Sequence, residues 1–248
     1  MTPVVLSIAG SDSSAGAGIQ ADLATISECG VRGTSVITAL TAQNPDRILR
    51  IEPVSPDQIQ AEMEAVFSYF DVAAVKTGML VDARRIAAVA TGLRRWHAGR
   101  PLLVDPVMVA TSGASLLAAD AMKTLADELF PLATIITPNI PEAERLLGGT
   151  CTDAVNDAAT LAQKYGCAVL LKGGHGDAGM LIDVLCEQDG EISTFTHERI
   201  DGAALHGTGC RLSAAIAAKL ALGLPLRDAV EAGIGWLQTA LSASARPP

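Results

Sequence analysis

Val4-Val-Leu-Ser-Ile-Ala-Gly10-Ser-Asp-Ser-Ser-Ala-Gly-Ala-Gly18 joins a short apolar run to a loop of small residues, and a helical pattern takes over from about Ile19 to Cys29. An apolar run that does not alternate is what a strand covered on both faces looks like. Strand, small-residue turn and helix then recur down the chain, which is the grammar of a parallel sheet. Val31–Ala42 reads as the second strand, β-rich around Thr34–Thr38. Ser55 begins a helix with Pro56 at its first position and Asp57 in its first turn; Ile59, Met63, Val66, Phe67 and Phe70 return at helical spacing. Further strands are expected at Val72–Val75, Leu102–Val104, Ala133–Thr137 and Cys167–Leu171, with helices over residues 82–97, 115–129, 141–147 and 153–165. Met180–Cys186 and Glu191–Thr196, joined by a turn ending in Asp189-Gly190, predict an antiparallel hairpin. Ala-rich helices from Leu212 and from Leu226 to Leu241 complete the chain. The prediction is an α/β fold: a mainly parallel central sheet, helices on both faces, and antiparallel strands near one edge. Without a linker or a repeat, residues 1–248 read as a single domain.

Composition narrows the function. The 248 residues are 49% apolar and carry a net charge of −9, which excludes nucleic acid or an anionic membrane as the default partner. An anionic substrate therefore needs a local positive site. The five cysteines are scattered, with neither CxxC nor HxxxH spacing, so no disulfide framework or zinc site is suggested. No basic segment precedes the first apolar run and no stretch approaches a membrane span, so a cytoplasmic location is expected.

That positive site is sought in Leu205-His-Gly-Thr-Gly-Cys-Arg-Leu212. Gly207, Thr208 and Gly209 lead into a helix whose first N–H groups have no helical partners, and the helix dipole adds to their field. Cys210, in the first turn, is expected to ionise more easily than free cysteine; the alternative is a small cysteine buried under a core helix. His206 suggests a Cys–His pair, although a solvent-facing loop histidine fits as well. In a parallel sheet ligands gather past the carboxyl ends of the strands, and Asp12, Gln43, Lys76, Asp105, Asn139 and Lys172 all fall there. Gly16-Ala-Gly-Ile-Gln-Ala21 matches a loose dinucleotide pattern, but Val36–Asn44 lacks the carboxylate that should hold a ribose. Neither a Walker loop nor GxSxG occurs. What remains suits phosphoryl transfer: Asp105 and Glu142 for Mg²⁺, Lys172 for a phosphate, and the 207–210 turn for developing charge. Each also has a plainer reading: Asp105 as a turn cap, Glu142 as a helix-start acid, Lys172 as a solvated strand end.

The motifs Ile8-Ala-Gly-Ser-Asp12, Gly16-Ala-Gly-Ile-Gln-Ala-Asp22, Ser35-Val-Ile-Thr-Ala-Leu-Thr-Ala-Gln-Asn44, Lys76-Thr-Gly-Met-Leu80, Val104-Asp-Pro-Val-Met-Val109, Thr137-Pro-Asn139 with Glu142, Leu171-Lys-Gly-Gly-His175 and His206-Gly-Thr-Gly-Cys210 run almost end to end. As a set they resemble the hydroxymethylpyrimidine/phosphomethylpyrimidine kinases of thiamine biosynthesis, a ribokinase-like family. The resemblance implies MgATP-dependent phosphorylation of 4-amino-5-hydroxymethyl-2-methylpyrimidine, and in many members of its monophosphate. It implies that Asp22 and Gln43 bind the aminopyrimidine, with backbone from Gly10 and apolar contact from Met79 and Val107. It further implies that Asn139 and Glu142 organise Mg²⁺ and phosphate with Asp105 nearby, that Lys172 neutralises ATP phosphate, and that Cys210 deprotonates the acceptor hydroxyl beside the amides of Gly207, Thr208 and Gly209. A homodimer is expected. The sequence departs from the family at Ala15, at Arg211 and over Ile200–Leu205. The alternatives are a pyridoxal/pyridoxine kinase of the same branch, against which Gln43 is the discriminator, a non-catalytic pyrimidine-binding regulator, and a Cys-dependent hydrolase that would need no ATP.

Overall fold

The computed structural model describes residues 2–97, 99–109, 116–118, 120–175, 179–200 and 207–245. The elements run β1 (Val4–Asp12), α1 (Gly18–Glu28), β2 (Arg32–Gln43), β3 (Ile48–Pro53), α2 (Pro56–Phe67), β4 (Val72–Thr77), α3 (Ala83–Trp96), β5 (Leu102–Val104), α4 (Ala121–Thr124), β6 (Ile135–Ile136), α5 (Ile140–Leu147), α6 (Ala154–Tyr165), β7 (Ala168–His175), β8 (Met180–Cys186), β9 (Ile192–Glu198), α7 (Thr208–Ala221) and α8 (Leu226–Ser244). The nine strands form one sheet in the order β3-β2-β1-β4-β5-β6-β7-β8-β9. Pairings from β2 through β7 are parallel. No helix among the described residues is long and apolar enough to cross a membrane.

Period-two alternation explains why both faces are covered. Val4, Leu6 and Ile8 of β1 pack into a cluster with α2, α3, α5 and α6, whereas Val5 points the other way, toward α1 and α7. In β5, Leu102 and Val104 join the first cluster and Leu103 joins α7 and α8 on the opposite face. Helix starts follow local chemistry. Ser55 caps α2 by accepting from the Gln58 amide at 3.2 Å, with Pro56 at the first position. Asn139 and Glu142 cap α5 reciprocally, each side chain accepting the other's backbone N–H.

The sheet differs from expectation in two places. Antiparallel strands close both edges, because β3 pairs antiparallel with β2 just as β8 and β9 follow β7. β3 is a half-exposed edge strand whose Arg50 and Glu52 bond each other, so its sequence lacks the apolar run of the inner strands. The helix expected over residues 115–129 is also shorter. Residues 110–115 lie outside the described ones, Leu117 bridges to Val81 in an extended segment, and helix begins only at Ala121 before widening into a π turn at Leu125–Leu129.

Candidate active site

From β1 the chain moves outward to β2 and β3, then returns to the other side of β1 as β4. That reversal leaves a crevice beyond the carboxyl ends of β1 and β4, where ligands of open α/β sheets bind. A cleft of about 380 Å³ lies there, walled by the ends of β1, β2, β4, β5 and β7 and by the starts of α5 and α7.

One end of the cleft is mostly uncharged, Asp12 apart. Gly10, Thr41, Gln43, Met79 and Val107 line it. Gln43 closes β2, and its backbone exchanges two hydrogen bonds with Ser13 Oγ, which fixes the first loop against it. Buried Asp12 organises that loop, accepting from the Ser14 amide (2.7 Å), Ser14 Oγ (2.8 Å) and the Ala17 amide (2.8 Å). Ala15 within it adopts φ +59, a left-handed conformation that costs a residue with a Cβ about 1–2 kcal/mol. Asp22, expected to bind the aminopyrimidine, does not reach the cleft. Its side chain is fully buried, one oxygen accepting from Lys76 Nζ at 2.7 Å and Ser7 Oγ at 2.6 Å and the other without a hydrogen-bond partner among the described residues.

The other end is charged. Gly207 caps α7 at φ +75, and a Cβ there would lie 2.6 Å from the Gly16 carbonyl, so only glycine fits. No side chain caps α7, which leaves the amides of its first turn to the cleft. Lys172 pairs with Asp105 at 3.0 Å, and a Cβ on Gly209 would stand 3.5 Å from its Nζ, so the ammonium lies against the start of α7. It is therefore no solvated strand end. Asp105 also accepts from Thr137 Oγ1 at 3.2 Å, and Ser213 Oγ lies 3.3 Å from its other oxygen. Burial works against that charge, but Lys172 and then Lys76 hold the Asp105 carboxyl below its ordinary value. Glu142 behaves oppositely: burial pushes it up to about 7 despite Lys172. A cleft-facing carboxylate that burial disfavours is a fitting ligand for a hard cation, and Mg²⁺ typically takes only one or two carboxylates from protein. Among the described residues no cluster of three His, Cys, Asp or Glu forms a closed metal cage.

Cys210 corrects another expectation. Its sulfur lies at the helix start as foreseen, yet burial raises the thiol to about 11 against the pull of Lys76, and Asp22 and Asp105 add to the rise. The unliganded protein thus holds a thiol rather than a thiolate. His206 and residues 201–205 lie outside the described residues.

Lys76 was expected at a strand end without a stated role, and Thr137, Ser213, Asp183 and His197 were not singled out at all. Lys76 is wholly buried yet borders the cleft. Burial would lower its pKa, but Asp22, Cys210 and Asp105 hold it above the ordinary lysine value. Its position at the end of β4 was the available signal; its partner, 54 residues distant, was not.

A family model described as phosphomethylpyrimidine kinase matches residues 12–247. A hydroxymethylpyrimidine/phosphomethylpyrimidine kinase of Rhizobium meliloti (strain 1021) is 48% identical over 99% of this chain and 93% of its own. The crystal structure of phosphomethylpyrimidine kinase from Clostridium difficile 630 superposes with a TM-score of 0.84 at 38% identity, covering 97% of this chain and 100% of that one. The pyridoxal kinase of Staphylococcus aureus in complex with AMP-PCP and pyridoxal superposes at 0.83 with 30% identity, over 97% and 88% of the two chains. A reversed parallel sheet, an uncapped helix start and the Lys172–Asp105 pair in one cleft are thus accompanied by likeness along the whole length, and the chain belongs to the phosphomethylpyrimidine kinase family.

Proposed function

We propose that the cleft transfers the terminal phosphoryl group of ATP to the hydroxymethyl group of 4-amino-5-hydroxymethyl-2-methylpyrimidine, and then phosphorylates the monophosphate. The observation that carries this reading is the meeting, in one cleft, of the uncapped start of α7 with Cys210 and Lys172 at one end and of Gln43 at the other. Gln43 offers both a donor and an acceptor to an aminopyrimidine edge, with Gly10, Met79 and Val107 framing the ring. Lys172 and Asn139 receive the phosphates, and the amides of Gly207, Thr208 and Gly209 face the oxygens on which charge grows. Asp105 and Glu142 are the residues that would hold Mg²⁺, which supplies charge neutralisation when bound. The nucleotide analogue in the S. aureus pyridoxal kinase complex supports assigning a nucleotide to this fold.

Cys210 takes the proton of the acceptor hydroxyl. With the thiol at about 11, about one molecule in 10⁴ carries the thiolate at pH 7, so kcat/KM should climb nearly tenfold per pH unit between pH 7 and 10. The test is ADP release in a coupled assay with the pyrimidine alcohol and pyridoxal side by side. The pyrimidine is expected to react faster, the pH slope to hold, and Cys210→Ala to lose about 10²–10⁴-fold in kcat with a flat profile. Equal turnover by the variant removes the base assignment. Faster turnover of pyridoxal moves the chain to the neighbouring activity.

A further inference from the structure

β7 and β8 do not pair evenly. Leu171 stands opposite Val184 and Gly174 opposite Ile182, so Lys172 and Gly173 together face the single residue Asp183. Two residues against one make a bulge, a device that re-aims side chains beside active sites. Gly173 sits at φ +79. Its N–H, which a regular ladder would give to a carbonyl, goes to Asp183 Oδ1 at 2.7 Å. The second carboxylate oxygen is 3.0 Å from His197 Nε2 on β9, and His197 Nδ1 is 2.9 Å from Gln238 Nε2 on α8. An amide nitrogen can only donate, so Nδ1 accepts and the ring hydrogen sits on Nε2, aimed at Asp183. Strand β9 and helix α8 thus brace one carboxylate that is only 3% exposed.

We infer that the Gln238–His197–Asp183 chain positions Lys172. Asp183 holds the bulge at Gly173, and the bulge turns Lys172 off the β8 ladder toward Asp105 and the start of α7. A strand that closes its bulge regains a period of two, and a shift of one residue reverses the face on which each side chain projects. Lys172 would then leave the cleft, although its own amide remains tied to the Pro138 carbonyl at 2.9 Å. Asp183 and His197 border the cleft, and Asp183 is read as a positioning residue because its bond to the Gly173 amide acts through Lys172. The inference rests on the assignment of Lys172 to nucleotide phosphate.

The test uses the whole protein, with ADP affinity measured by titration calorimetry in Mg²⁺ and the KM of the pyrimidine alcohol measured separately. Asp183→Ala should weaken ADP about tenfold, the scale of one charge-assisted contact, while the acceptor KM stays within about twofold. His197→Ala, which frees one oxygen of the carboxylate, should weaken ADP about threefold. Asp183→Asn keeps an acceptor for the Gly173 amide, and His197 can take its other tautomer to accept from the new amide once Gln238 turns its amide oxygen toward Nδ1, so most of the loss should be recovered. A fold merely weakened by the changes lowers the active fraction and leaves both affinities alone. ADP binding by Asp183→Ala within twofold of wild type, equal weakening of both substrates, or an Asn variant as impaired as the Ala variant overturns the inference. Should Asp183→Ala not fold, His197→Ala decides alone: nucleotide affinity reduced with the acceptor KM unmoved supports the inference, and any other pattern overturns it. If wild-type protein binds no ADP, the assignment of Lys172 has failed first and this inference falls with it.

Discussion

Two lysine–aspartate pairs, one bordering the cleft through Lys76 alone and the other lining it with both partners, differ in little but depth. Lys76 and Asp22 meet at 2.7 Å with both side chains fully buried, whereas Lys172 and Asp105 meet at 3.0 Å with side chains 12% and 4% exposed. Sealing decides what each pair can do. The Lys76 ammonium, sealed against its carboxylate, is a fixed positive charge near Cys210. In the proposed reaction Lys172 turns from Asp105 to the incoming phosphate while Thr137 keeps hold of the acid. Ion pairs of one chemistry are thus divided into a strut and a handle by a few ångströms of cover.

The largest expected effect lies in the sealed pair. Lys76→Met should cost about 3–5 kcal/mol of stability in urea unfolding, because it strands Asp22 without its cation in a site that water does not reach. Replacing both partners, Lys76→Met with Asp22→Leu, should return most of that loss, since apolar substitution of a whole buried pair is often neutral. A loss below about 1 kcal/mol for the single variant would show that Lys76 is no strut. The rim pair should answer in the opposite currency. Lys172→Met should lower kcat/KM about 10²–10³-fold, as removal of a donor to developing charge does, and destabilise the fold by less than half the cost of Lys76→Met. Comparable unfolding losses in both single variants would break the distinction between the pairs.

Spacing alone made the inner sheet legible, because β1, β4 and β5 are buried along almost their whole length and carry apolar runs, while β2 was betrayed by its β-branched residues. β3 escaped because an edge strand with Arg50 and Glu52 has no such run. The glycine turn and the uncapped start of α7 were legible, since both are local facts. The thiol beside it was misjudged for the complementary reason: the helix field is local, but the burial that raises Cys210 comes from elements brought together by folding. Asp22 belonged to a recognisable motif yet is absent from the cleft wall, bonded instead to a lysine at the end of β4. The Gln238–His197–Asp183 chain joins three elements that no sequence window spans.

Glu142 extends the comparison to a carboxylate at the charged end that has no lysine of its own. Burial raises it from an ordinary 4.5 to about 7, so the folded state binds its proton more tightly than the unfolded chain does. Its contribution to stability is full below about pH 4.5 and is lost as pH rises through 7. Measured against Glu142→Gln, which keeps an acceptor for the Asn139 amide, wild-type protein should lose on the order of 2–3 kcal/mol between pH 4.5 and 8. Added Mg²⁺ should offset part of that loss at pH 8 in wild type alone. A difference between the two proteins that stays constant with pH would mean that Glu142 remains ionised throughout and does not await a cation.

The smallest effect is expected at the mostly uncharged end. Gln43 is partly exposed at the close of β2, where its backbone bonds to Ser13 and its side chain hydrogen-bonds Asp12. Gln43→Leu should therefore remove the donor and acceptor offered to the aminopyrimidine together with the bond to Asp12, whose loop keeps its bonds from Ser14 and Ala17. One neutral hydrogen bond or two is at issue, so kcat/KM for the pyrimidine alcohol should fall about tenfold. Pyridoxal presents a different ring edge and should lose less, which shifts relative preference toward it. Equal losses on both acceptors would mean that Gln43 shapes the cleft without reading the ring. Specificity would then have to lie with Met79 and Val107, through the shape of the pocket rather than its hydrogen bonds.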